Sequence, residues 1–102
     1  MNNIYFAIAN SNVGVVEYII SAPTEIVCKS LIVDALKKYD WYYLTSDEDI
    51  DMGISKTEEE YLDMFKMCIL GIVDEKYNQS CILHKNVSLH NNPRFFYGLD
   101  DE

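Results

Sequence analysis

The sequence predicts a small α+β domain, and three observations carry that reading. The first 22 residues hold two apolar runs rich in β-branched and aromatic side chains, separated by a polar, glycine-containing break. Residues 21–40 place apolar side chains at helical spacing. Near residue 57, two overlapping capping patterns precede a further apolar run. With 102 residues, the chain fits one compact domain with one core, and its 49% hydrophobic and 13% aromatic content can build that core.

The opening runs, IYFAIAN and VVEYIIS, joined by SNVG, predict an N-terminal β-hairpin. Both are apolar at almost every position, which predicts that one or both strands are covered on two faces. In SAPTEIVCKSLIVDALKKYD, Ser21 can cap and Pro23 suits a first turn. Cys28, Leu31, Ile32, Ala35, Leu36 and Tyr39 follow at helical spacing. Glu25 at the start and Lys37 and Lys38 at the end match the helix dipole.

WYYLT, residues 41–45, reads as a short aromatic strand with Trp41 and Tyr43 on one face and Tyr42 on the other. The patterns Ser55-x-x-Glu58 and Thr57-x-x-Glu60 start a second amphipathic helix, with Tyr61, Phe65, Cys68, Ile69 and Ile72 as its buried stripe. CILHKNVSLH supplies one or two additional short strands around Lys85 and Asn86, so the expected order is β-β-α-β-α-β. Residues 91–102 carry turn residues, three adjacent aromatics and an acidic end, a tail expected either to dock on the body or to stay flexible.

No apolar run approaches the ~18 to 20 residues of a membrane span. MNNIYFAIAN lacks the basic start and cleavage site of a secretory signal, so a cytoplasmic location is expected, the chain's own or a host's. Three cysteines imply no disulfide framework. The sequons at Asn78 and Asn86 carry no meaning in that compartment.

DEDIDMGISKTE, residues 47–58, invites a calcium reading, with Asp47, Asp49, Asp51, Ser55 and Glu58 as oxygen ligands. An EF-hand loop spans about twelve residues and needs glycine at its sixth position. Met52 stands there, Gly53 comes one residue late, and the preceding segment reads as strand rather than helix. Acids before a helix are also stabilised by its dipole and by capping, so a solvated acidic edge is the preferred interpretation and calcium binding the alternative.

Cys81-x-x-His84 with His90 and Cys68 offers one close ligand pair where structural zinc sites show two. No nucleophile elbow accompanies these residues, and four glycines leave no phosphate-cradling loop, so neither an enzyme nor a cofactor is expected. The aromatics Tyr39, Trp41, Tyr42 and Tyr43 divide between core and a recognition surface, since tyrosine and tryptophan dominate interface hot spots.

Charge is the most informative feature. Of a net −9, residues 47–63 contribute eight acids against Lys56 alone, and residues 100–102 are all acidic. Such a distribution opposes direct nucleic-acid binding, which requires a basic footprint. It steers basic proteins into contact and can set carboxylates where nucleic-acid phosphates would lie on such a partner.

The expected function is therefore a non-enzymatic inhibitor that engages a basic surface of a nucleic-acid-binding protein or nuclease. Asp47, Glu48, Asp49, Asp51, Glu58, Glu59, Glu60 and Asp63 are the expected contacts, with Trp41 or Tyr42 as an anchor. In size and acidity the chain is similar to phage-encoded inhibitors of bacterial defence, such as anti-CRISPR proteins, and to immunity proteins that neutralise nuclease toxins. That likeness is compositional and carries over no functional residue. A third reading is a homo-oligomer in which the aromatic strand or RFFYGL packs against a symmetry mate.

Overall fold

A computed structural model describes residues 1–73 and 79–90. Strands β1 (Asn3–Asn10) and β2 (Gly14–Ala22) form the expected hairpin, followed by helix α1 (Glu25–Lys38) and a 3-10 segment (Asp40–Leu44). The short helices α2 (Asp47–Asp51) and α3 (Glu58–Asp63) come next, then strands β3 (Phe65–Ile72) and β4 (Cys81–Leu89). The four strands make one antiparallel sheet in the order β3-β1-β2-β4, so the α+β class holds.

Ser11 closes the hairpin locally. Its hydroxyl accepts the N–H groups of Val13 and Gly14 at 3.1 Å each, and its own N–H reaches the Gly14 carbonyl at 2.9 Å. Gly14 is required for a close approach, because a Cβ there would collide with the Ser88 carbonyl oxygen of β4 and meet the Tyr43 carbonyl oxygen at 3.0 Å.

One face of the sheet carries Tyr5, Ala7, Ala9, Val16, Tyr18 and Ile20, and onto it α1 lowers Cys28, Ile32 and Leu36 to complete the core. Ala7 and Ala9 have a steric purpose. They pair across β1 with Tyr18 on one side and Phe65 on the other, and their small size lets those two rings stack at 5.8 Å.

Four local expectations are corrected. Ser21 belongs to β2, and Thr24 is the cap of α1, its Oγ1 accepting the Val27 N–H at 3.2 Å. Tyr39, expected in the buried stripe, ends the helix half-exposed. WYYLT forms a 3-10 turn rather than a strand, because β3 and β4 already occupy both neighbouring positions of the hairpin and strand propensity yields to that pairing. The second helix stops at Asp63: Phe65 to Ile72 pair with β1 as a strand, leaving Ile69 and Ile72 exposed instead of buried.

The Thr57 capping box is present, with Glu60 N–H to Thr57 Oγ1 at 3.1 Å and Thr57 N–H to Glu60 Oε1 at 2.8 Å, and it starts a short helix of six residues. CILHKNVSL is a single nine-residue strand. The tail expectation for residues 91–102 lies outside the described residues. Among the described residues, no helix is long and apolar enough to cross a membrane.

Candidate functional site

The acidic residues form a strip along α2, the turn at Gly53 and α3. Ser46 caps α2, its Oγ accepting the Asp49 N–H at 3.1 Å, and Gly53 reverses the chain with a positive φ of 71°. Asp47, Asp49 and Asp51 therefore sit on a helix, which turns about 100° per residue and points Asp49 away from the face that Asp47 and Asp51 share. Among the described residues, no three His, Cys, Asp or Glu side chains gather as they would around a metal ion. Asp47, Asp49, Asp51 and Glu58 of the calcium reading, which also names Ser55, and Cys68, Cys81, His84 and His90 of the zinc reading are among the side chains concerned.

The carboxylates divide by what already holds them. Glu58 pairs with Lys37 at 2.7 Å, which raises the lysine's pKa through the hydrogen bond first and the charge second. Glu60 is engaged in the capping box, and Asp49 lies 4.0 Å from Lys56. Glu48, Asp51, Glu59 and Asp63 are exposed and form no ion pair with a described residue. Glu59 and Asp63, four residues apart on α3, stand on one face.

Beside this strip lies an apolar cavity of about 300 Å³ between α1, the 3-10 segment and the approach to α3. Val33, Leu36, Trp41 and Tyr61 line it, and the Lys37–Glu58 pair closes one rim. Trp41 is half-buried, one side packed on the core and another facing the cavity. Tyr42 does not enter the cavity lining. It stacks on Tyr39 at 5.4 Å and meets Trp41 and Tyr43 edge-on at 6.3 and 5.7 Å, a cluster that stiffens the 3-10 turn.

Sequence reasoning missed a buried polar tie behind this turn. The Tyr18 hydroxyl, fully buried, donates to Asp40 Oδ2 at 2.6 Å, and Lys85 Nζ donates to Oδ1 at 3.2 Å. The signal available was an aspartate opening an otherwise aromatic run, DWYYL. Both carboxylate oxygens are occupied, so the network anchors the turn carrying Trp41 to strands β2 and β4.

Burial, reinforced by the hydrogen bond to Asp40 and its charge, raises the Tyr18 phenol well above its ordinary range. For an acid with a raised folded pKa, the unfolded chain ionises first. Stability attributable to Tyr18 is therefore whole below about pH 10 and falls above it, at ~1.4 kcal/mol per pH unit. Urea unfolding of Tyr18→Phe should show a shallower decline above that pH than the parent protein, and an identical decline would refute the assignment.

Cys28 lies buried under α1, and that burial, with the Glu25 carboxylate nearby, pushes its thiol up to about 11. It is held protonated and inert at neutral pH. Native protein should leave Cys28 unmodified by alkylating reagents until denaturant is added, as peptide mass spectrometry can read.

Comparison with protein-family models, curated proteins and solved structures finds no match for this chain.

Proposed function

We propose that the chain is a non-enzymatic binding protein that uses its acidic strip to engage a basic surface on a nucleic-acid-binding protein or nuclease and inhibit it. One observation carries this reading: Glu48, Asp51, Glu59 and Asp63 are exposed without described ion-pair partners, and Glu58, on the same helix as Glu59 and Asp63, lines an apolar cavity that presents Trp41. Carboxylates not neutralised from within project a field that accelerates encounter with a basic partner. The cavity supplies what charge alone does not, a desolvated pocket for one apolar side chain at the centre of a contact. Asp47, Asp49, Glu58 and Glu60 extend the field while helping to hold the local structure.

The test follows from this division. Glu48→Gln, Asp51→Asn, Glu59→Gln and Asp63→Asn together remove four charges while sparing the capping box and the Lys37–Glu58 pair. Tagged parent and variant are used as paired baits in a bacterial lysate at low salt, with salt-gradient elution and mass spectrometry. The expected result is a basic nucleic-acid-binding protein retained by the parent and released as salt rises, with retention by the variant lowered about tenfold or more. Equal retention of the same proteins by both baits would refute the role of the strip.

A further inference from the structure

Helices α1 and α3 and the 3-10 segment pack on the sheet face that bears Tyr18, and the opposite face has no cover among the described residues. On the hairpin that open face is apolar, and β4 adds the polar His84, Asn86 and Ser88 beside it. Ile4, Phe6 and Ile8 project from β1 and Val15 and Ile19 from β2, every one half-buried by its strand neighbours alone, and Cys68 extends the patch on β3. The apolar runs of the hairpin thus carry two hydrophobic faces, of which the described residues cover one. A sheet face of this character requires a second layer.

We infer that the second layer is another copy of this chain, packed face to face as a two-fold dimer. This goes beyond the binding function and does not depend on it. Two properties of the face favour a second copy. The first is size. Four strands about 4.8 Å apart and eight residues long give a face of ~500 Å², or ~1,000 Å² across two copies, the lower bound of a specific interface. A single extended segment covers only about one strand's width and leaves much of the patch bare.

The second is charge. On a molecule of net −9, four acids of the strip belong to α3 on the other layer, so face-to-face packing joins a surface with few charges and keeps these carboxylates apart. The charges the face does carry lie in one row across the sheet, Lys66, Ile8, Glu17 and Asn86 in that order. A two-fold axis parallel to the strands and centred between β1 and β2 reverses the row on the second copy, which sets each lysine opposite the other copy's Asn86 and one strand spacing from its glutamate. The resulting assembly displays two acidic strips on its outer surfaces, and a partner with two basic sites would gain avidity from it.

Sedimentation equilibrium of the full chain should give twice the 11.8 kDa chain mass at high micromolar concentration. Phe6→Thr combined with Ile19→Thr keeps strand propensity, removes apolar area and should yield a monomer with unchanged far-UV circular dichroism. Lys66→Glu should also dissociate the dimer, and adding Glu17→Lys should restore it. Should the threonine variant fail to fold, the parent protein still decides the matter. Cys68 shares a row with Phe6, so its alkylation rate should fall at least tenfold as protein concentration rises through the dimerisation range.

A dimer that survives the threonine substitutions would overturn the proposal, as would a monomer with Cys68 equally reactive at every concentration. A monomer in which Cys68 becomes reactive only after residues 91–102 are removed would overturn it in favour of the chain's own end.

Discussion

Asp40→Ala is expected to destabilise the protein by about 2–4 kcal/mol in urea unfolding, far more than an average surface change. The substitution strands the buried Tyr18 hydroxyl, and an unsatisfied buried donor costs about 1–3 kcal/mol. It also removes the ion pair to Lys85. That lysine side chain is 48% exposed, so its share is the ~0.2–1 kcal/mol of a surface pair. The two contributions predict an asymmetry: Lys85→Ala should cost under about 1 kcal/mol, whereas Asp40→Ala should cost several times more. Equal effects would mean that the carboxylate serves the lysine rather than the tyrosine. Because the tie positions Trp41, Asp40→Ala should also loosen the cavity and change tryptophan fluorescence before global unfolding.

Gly14→Ala should be comparably severe, about 2–3 kcal/mol, although it adds one methyl group. The added carbon would meet the Ser88 carbonyl, the Tyr43 carbonyl and the Leu89 Cα, all of them backbone. No side-chain rotation relieves such a clash, so β4 must separate from β2 or the turn after Tyr43 must move. Hydrogen exchange should locate the damage, with amides of Val87 to Leu89 losing protection ahead of the β1–β2 ladder. Protection lost uniformly across the sheet would contradict a local clash.

The hairpin, α1 and the capping box were legible because each rests on a local rule. β-Branched and aromatic content and a polar turn mark β1 and β2, helical spacing marks Cys28, Ile32 and Leu36, and Thr57 with Glu60 satisfies reciprocal hydrogen bonds within four residues. Phe65–Ile72 was not legible, since its apolar run fits a helix and a strand equally and the decision belongs to the unpaired edge of β1, which lies some sixty residues away in the sequence. WYYLT failed for a related reason: its aromatic residues favour strand in isolation, but Asp40, Tyr18 and Lys85 fix it as a turn.

For the candidate site, the position of the acidic strip could be read directly from composition. Which of its members are spoken for could not, because the Glu58–Lys37 pair and the cavity beside Trp41 depend on α1 meeting α3. The same holds for the open sheet face. Two apolar strand faces are visible in IYFAIAN and VVEYIIS, but which of them α1 covers follows only from the tertiary packing.

The strip is proposed to occupy the place of nucleic-acid phosphates on a basic partner, and competition reads this directly. Once a partner has been captured, a labelled oligonucleotide bound to it is titrated with the parent protein and with the four-amide variant at matched ionic strength. Release of the oligonucleotide by the parent, at concentrations about tenfold lower than the variant requires, is the predicted result. A ternary complex of partner, oligonucleotide and protein, or equal release by parent and variant, would contradict it.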